Sequence, residues 1–156
     1  MKFVYGYRVN MRVIIAYESK YGNGKKCVEY LQNVISKKGH DARSFSISEI
    51  KPNSLPKVDL YIFSSPTHMS GPTWKMKRFL KKLDISQTGA RYSLMTTHMA
   101  PEIEINTLQV MEDILQSKGF KKISEDLKIK VTGMKGPLQS GYEKKIDEFV
   151  DTIFKH

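Results

Sequence analysis

The chain has 156 residues, of which 26 are lysine or arginine and 16 are aspartate or glutamate, so its formal net charge is +10. This length suits one ordinary domain with a full hydrophobic core. No apolar run is long enough to cross a membrane, and residues 1–10 lack the features of a signal peptide. We therefore expect one cytoplasmic domain over residues 11–156. Residues 1–10 before it are either a loose, disordered extension or an artefact of start-codon choice.

The positive charge favours anionic partners. An acidic protein, nucleic acid, or a salt-rich host cytoplasm that tolerates basic proteins would each account for it. The basic residues are spread over most predicted elements, and no nucleic-acid-binding motif is present. Nucleic acid is therefore the weaker alternative.

Strand and helix patterns alternate along the whole chain. Strands are predicted over about residues 12–17, 41–47, 58–63, 91–97 and 127–131, and helices over about residues 24–38, 72–83, 101–118 and 140–154. The second and fifth strands alternate polar and apolar residues, as edge strands with one solvated face do. The pattern predicts an α/β domain with a five-stranded parallel sheet, helices on both faces and strand order 2-1-3-4-5.

The turn after the first strand carries the clearest functional signal. A β-branched run ends at Tyr17, and the turn Ser19-Lys20-Tyr21-Gly22-Asn23-Gly24 leads directly into a helical pattern. Backbone N–H groups converge at such a helix start, where the helix dipole adds about half a positive charge. The turn therefore predicts a phosphate site, although an ordinary strand-to-helix turn is the alternative.

Two common phosphate motifs fit this turn badly. The Walker pattern needs four residues between its glycines, whereas Gly22 and Gly24 are separated by one. The dinucleotide fingerprint needs a third small residue where Cys27 stands, and no clear acid ends the next strand. The phosphate is therefore expected to belong to another ligand class.

Both this turn and a later loop resemble those of one known family. Tyr17-x-Ser19-x-Tyr21-Gly22-Asn23 resembles the phosphate loop of flavodoxins, with Gly24 in the place that usually holds threonine. Ser65-Pro66-Thr67, a ring at His68, and Gly71-Pro72 opening a helix are similar to the loop that contacts the flavin in that family. The resemblance covers the chain from Met11 onward and implies a three-layer α/β/α flavodoxin-like fold that binds FMN.

The resemblance also implies which residues contact FMN. The phosphate would lie on Ser19, Tyr21, Gly22, Asn23 and Gly24, and the isoalloxazine ring against Ser65, Pro66, Thr67, His68, Met69, Ser70, Gly71, Thr97, His98 and Met99. Met69 offers a soft contact and the histidines offer rings, whereas Gly71 lets a peptide group adapt to protonation of the flavin N5 atom. Two solvent-exposed loop histidines are the alternative, and two histidines alone do not predict a metal site.

The function implied by the resemblance is electron transfer between redox proteins, with no catalytic acid or base. An acidic, ferredoxin-like partner is expected to dock near Lys75, Arg78 and Lys82, which follow the flavin loop; a solvated helix face is the alternative for these cations. Two other functions remain open. One is an NAD(P)H-dependent quinone or flavin reductase on the same fold, and the other is a binding module without flavin.

Overall fold

The computed structural model describes residues 10–84 and 89–155 and, before them, a two-residue antiparallel ladder between Phe3–Val4 and Tyr7–Arg8. Apart from this ladder and Asn10, the predicted extension over residues 1–10 lies outside the described residues. That part of the domain division therefore stays a prediction.

Five parallel strands form the main sheet. Their bounds are Arg12–Tyr17 (β1), Asp41–Ser46 (β2), Leu60–His68 (β3), Arg91–His98 (β4) and Leu127–Lys130 (β5). The spatial order is β2-β1-β3-β4-β5, which confirms the predicted order and the edge positions of β2 and β5. Two short segments extend this sheet: Gly71–Pro72 pairs antiparallel with the end of β3, and Lys121–Lys122 pairs parallel with the start of β4.

Four helices cover the sheet. They are Asn23–Lys37 (α1), Trp74–Lys81 (α2), Thr107–Ser117 (α3) and Tyr142–Ile153 (α4). All four were predicted, but three begin later than the sequence pattern suggested. The late starts of α2 and α4 have local causes.

Helix α2 begins at Trp74 because Thr73 is its N-cap and accepts the N–H of Met76 on its hydroxyl oxygen, so Pro72 stays extended. Helix α4 follows Gly141, whose left-handed φ of 88° interrupts the helical backbone. The predicted start of α3 near residue 101 is wrong by a larger margin. A 3-10 turn, Glu102–Glu104, and an extended Ile105 precede the true start.

The helices bury two apolar layers, one on each face of the sheet. On one face, α1 and α4 pack on alternate residues of β1 and β3, with Leu31, Ile35, Ile146 and Val150 fully buried. On the other face, α2 and α3 cover Tyr61 and Phe63 together with Met76, Leu80, Met111 and Leu115. Each fully buried side chain of this size contributes about 1.5–3 kcal/mol, so the layers fix the sheet on which the loops stand.

The lone cysteine, Cys27, lies in the first of these layers and is fully buried. Burial raises the pKa of its thiol to about 12, so the side chain packs as a small apolar group. Within the described residues, no helix is both long enough and apolar enough to cross a membrane.

Candidate functional site

Loops at the carboxyl ends of three neighbouring strands meet around one cavity of about 180 Å³. We call them loop 1 (residues 19–24, after β1), loop 2 (residues 64–74, the end of β3 and the turn that leads to α2) and loop 3 (residues 96–101, the end of β4 and the residues that follow it). The strand order reverses between β1 and β3, and ligands of open parallel sheets bind at that point. The topology therefore places the cavity where a ligand site is expected.

Loop 1 is held by the side chain of Ser19. Its Oγ accepts the backbone N–H of Gly22 at 3.2 Å and that of Lys25 at 3.1 Å, which leaves the hydroxyl proton free to donate. The N–H groups of Asn23 and Gly24, at the start of α1, have no acceptor within the described part of the chain. One hydroxyl and two backbone amides are therefore available to an anion.

Positive charge surrounds this helix start. The first turn of α1 carries no acidic residue, and the exposed lysines Lys20, Lys25 and Lys26 lie on or beside it. The neighbouring acid, Glu18, accepts a hydrogen bond from the hydroxyl of Thr73. The local field and the helix dipole therefore both favour a negatively charged group.

Loop 1 also packs closely against the start of α1. A Cβ atom added at Gly24 would lie 3.3 Å from the carbonyl oxygen of Glu18 and 3.6 Å from the Oγ of Ser19. The backbone angles at position 24 do not require glycine, since the φ of Gly24 is not positive. Its small size therefore matters for the close approach rather than for the turn.

Loop 2 ends β3 in a two-residue hairpin. His68 pairs with Gly71, and the two residues between them, Met69 and Ser70, both adopt left-handed backbone with φ of 49° and 72°. Two successive positive φ values define a type I′ turn, which normally uses asparagine or glycine. The left-handed positions are thus held by Met69 and Ser70, whereas Gly71 is part of the antiparallel pair.

Hydrogen bonds tie loop 2 to α3. The N–H of Asn106 donates to the carbonyl oxygen of Ser70 at 2.6 Å. Deeper in the loop, the hydroxyl of Thr67 lies 2.8 Å from that of Thr96 and 2.7 Å from that of Thr107. These contacts hold the strained turn in place beside the cavity.

Loop 3 presents a buried histidine to the cavity. His98 is 3% exposed, and its Nδ1 lies 2.7 Å from the carbonyl oxygen of Ala100. A carbonyl only accepts, so Nδ1 carries a proton, and in the neutral form of the ring the lone pair lies on Nε2. This Nε2 atom is buried and has no partner among the described residues. It is therefore an acceptor available to a ligand that donates an N–H or O–H group.

The cavity wall contains most of the predicted site residues. They are Ser19, Tyr21, Asn23, Gly24, Pro66, Thr67, His68, Met69, Thr97, His98 and Met99. Four others do not line it: Gly22, Ser65, Ser70 and Gly71. Ser65 is fully buried, where its hydroxyl donates to the carbonyl oxygen of Pro66 and accepts the N–H of Thr73. It supports loop 2 from below.

The wall also contains residues that the sequence did not single out: Lys20, Thr73, Val131 and Met134. The last two come from the stretch after β5, which we call loop 4 (residues 131–138). The hydroxyl of Tyr21 lies 3.3 Å from the sulfur of Met134, and a Cβ at Gly136 would collide with the side chain of Asn23 at 2.6 Å. Loop 4 therefore closes the cavity at the end next to loop 1.

The two loop histidines differ in environment. His68 is exposed, as a loop histidine commonly is, whereas His98 is buried. Within the residues that the structure describes, no group of three histidine, cysteine, aspartate or glutamate side chains could hold a metal ion. The arrangement can hold an anion at α1 and a flat ring between loops 2 and 3.

Comparison with known proteins agrees with this geometry. The family model described as flavodoxin matches residues 15–149. No significant match was found among curated proteins by sequence. The fold is similar to that of oxidised flavodoxin 2 from Bacillus cereus, with a TM-score of 0.77, 19% identity, and coverage of 91% of this chain and 97% of that one.

Other solved structures give the same result. Oxidised flavodoxin 1 from Bacillus cereus matches with a TM-score of 0.75, 16% identity, and coverage of 93% of this chain and 98% of that one. The flavodoxin of Fusobacterium nucleatum bound to flavin mononucleotide matches with a TM-score of 0.67, 17% identity, and coverage of 93% and 98%. At these identities the likeness establishes the fold.

Proposed function

The chain belongs to the flavodoxin family, and from this premise we propose that it binds FMN and carries electrons between redox proteins. The observation that carries the proposal is loop 1. There the hydroxyl of Ser19 and the free amides of Asn23 and Gly24 converge at the start of α1. A small anion such as a phosphate can accept hydrogen bonds from all of these donors at once.

The residues around the cavity fit both ends of FMN. Its phosphate would be held by loop 1 amid exposed lysines. Its flat ring would lie between loops 2 and 3, which offer the thioethers of Met69 and Met99 as soft contacts. The ring also has an N–H group that could donate to the unpartnered Nε2 of His98. When bound, FMN supplies the electron chemistry, and the protein binds and orients it.

Electron transfer to and from the site needs a partner that approaches its edge. We propose an acidic, ferredoxin-like protein that is guided by the net charge of +10 and docks at Lys75, Arg78 and Lys82. Lys75 and Arg78 are exposed on α2, which follows loop 2, and Lys82 is exposed directly after the end of this helix. Within the described residues none of them forms an ion pair, so their charges are free to attract carboxylates.

Stopped-flow mixing of the FMN-loaded protein with a reduced acidic ferredoxin tests this function. The association rate is expected to fall steeply with salt, since exposed charges are screened beyond about 10 Å at 0.1 M. The triple variant Lys75→Glu, Arg78→Glu and Lys82→Glu should slow the transfer and leave FMN affinity unchanged. Lys144→Glu, on the exposed face of α4, is the control. A rate that is independent of salt and of the triple change would contradict the proposed partner.

A further inference from the structure

A second concavity, larger than the flavin cavity, lies beside α2. Its volume is about 460 Å³, against about 180 Å³ for the cavity between the loops. One wall is the exposed side of α2 and the other is the chain that follows β2. We call it the Trp74 groove, lined by Glu18, Ser19, Ser46, Ile47, Ser48, Pro52, Trp74, Lys75, Arg78, Phe79 and Lys82.

Trp74 gives the groove an exposed aromatic surface. It is the only tryptophan in the chain, and 62% of it is exposed to solvent. Among the described residues its indole N–H donates to no partner. Because most of the ring is exposed, its burial adds little to the stability of the fold. Exposed tryptophan is enriched where proteins bind each other, because a large flat ring gains much from being covered.

Cations follow the tryptophan along one face of the helix. Trp74, Arg78 and Lys82 are spaced by four residues and therefore form one stripe, with Lys75 beside them. The acid in the groove, Glu18, accepts a hydrogen bond from Thr73 and is not paired with these cations. The stripe therefore presents an uncompensated positive charge next to an apolar ring.

The opposite wall and the floor supply apolar and hydroxyl groups. Phe79 is buried under the stripe, and Ile47 and Pro52 are partly exposed across from it. The hydroxyls of Ser46 and Ser48 bond to each other at 2.8 Å on the rim. The groove thus combines an apolar interior with a charged edge, as protein interfaces commonly do.

The length of the stripe separates the possible occupants. The eight helical steps from Trp74 to Lys82 span about 12 Å. An extended peptide covers that distance in about four residues at roughly 3.4 Å each, so alternate acidic side chains can meet separate cations. A phosphate group is compact and would engage one or two of them. The spacing therefore favours a peptide segment over a nucleotide.

We propose that the Trp74 groove binds a protruding acidic segment of the redox partner, with one apolar side chain of that segment against the indole and its carboxylates on Lys75, Arg78 and Lys82. This inference rests on the proposed function and identifies where and how the partner docks. Ser19 lines both the groove and the flavin cavity, so the bound segment lies against loop 1. Docking therefore brings the partner next to the cofactor site.

A nuclear magnetic resonance titration tests the groove directly, because a single tryptophan gives a single indole N–H signal. The probes are two acetylated pentapeptides, one with a leucine between two pairs of acidic residues and one with glycine in its place. The FMN-loaded protein should bind the leucine peptide about tenfold more tightly, with a shift of the indole signal. Equal affinities with an unmoved indole signal would overturn the proposal.

Variants separate the two parts of the interaction. Trp74→Ala should remove the preference for leucine and keep the salt-dependent binding of both peptides. Arg78→Glu should weaken the binding of both peptides by a similar factor, and Lys144→Glu should leave both affinities unchanged. If adenosine diphosphate shifts the indole signal at a lower concentration than the leucine peptide does, the groove is a small-molecule site and the proposal fails.

The same samples distinguish this inference from the proposed function. Flavin absorbance reports FMN binding independently of the peptides. If the protein retains FMN and binds neither peptide, the proposal for the groove is wrong and the proposed electron carrier is unaffected. If the protein prefers the leucine peptide but does not retain FMN, the proposed function is wrong, whereas binding of an acidic segment in the groove is supported.

Discussion

The Oγ of Ser19 accepts the backbone N–H of Lys25 at 3.1 Å and thereby closes loop 1 onto the first turn of α1. The bond spans six residues and uses a lone pair of the hydroxyl, so the proton remains available to a ligand. Ser19 therefore shapes loop 1 and keeps a donor available for the phosphate that we propose to bind there. Its replacement is expected to affect phosphate binding more than any other property.

Ser19→Ala should weaken FMN binding by roughly 10- to 150-fold, since one hydrogen bond to a charged group is worth about 1.5–3 kcal/mol. The affinity for riboflavin, which lacks the phosphate, should fall much less. Titration of the flavin-free protein by fluorescence measures both affinities. The matched control is Ser140→Ala, at an exposed position before α4. Unchanged FMN affinity in Ser19→Ala would show that Ser19 does not bind the phosphate.

Gly24→Thr should tighten FMN binding by adding the hydroxyl that the family usually has there. The new Cβ would lie 3.3 Å from the carbonyl oxygen of Glu18, so the backbone must yield by a few tenths of an ångström. Gly24→Ala carries the same Cβ without the hydroxyl. We therefore expect FMN affinity to rise from the alanine to the threonine variant, by at most about 150-fold.

Comparison with the natural chain completes this test. If the alanine and threonine variants bind FMN equally, the hydroxyl does not reach the phosphate. If both bind more weakly than the natural chain by the same factor, the close packing of Gly24 on loop 1 is what the site requires.

Met69→Gly and Ser70→Gly should each raise the free energy of unfolding by up to about 1 kcal/mol. Left-handed backbone costs a residue with a side chain about 1–2 kcal/mol, and glycine loses about 0.5–1 kcal/mol through greater freedom when unfolded. Urea denaturation measures the change as a higher midpoint with an unchanged slope. Lys135→Gly, at a loop position without positive φ, should lower stability. A similar loss of stability in all three variants would show that the turn is not strained.

His98→Phe should weaken the binding of FMN and of riboflavin by the same factor, about 2- to 13-fold, because a neutral hydrogen bond is worth about 0.5–1.5 kcal/mol. The equal effect is expected because His98 stands at the end of β4, and β3 separates it from loop 1, where the phosphate is proposed to bind. His98→Gln keeps an acceptor and should recover part of the loss. Loss of FMN binding with normal riboflavin binding would place the effect of His98 at the phosphate instead.

The sequence predicted the sheet well because β-branched runs and glycine-rich turns are local signals. Val13 to Tyr17 and the following turn required no knowledge of distant residues. The start of α3 was missed because its cause is not local. Asn106 donates its N–H to Ser70, 36 positions earlier, so the chain before Thr107 stays non-helical.

The same distinction explains the site. Ser19 and Met69 lie in loops with recognisable patterns, and both line the cavity. Met134 was missed because its role depends on the arrival of loop 4 against Tyr21, 113 positions away. The glycines and proline after β5 were the available signal, since every carboxyl-end loop of a parallel sheet faces the same edge. The buried state of His98 likewise depends on packing that spacing alone does not reveal.

The most direct test of the account compares FMN with riboflavin on the same flavin-free protein. The two ligands share the ring and the ribityl chain and differ in the phosphate. With one hydroxyl and two amides on that phosphate, we predict that FMN binds at least about 100-fold more tightly. Equal affinities would contradict phosphate recognition by loop 1, and with it the central claim that this site holds FMN.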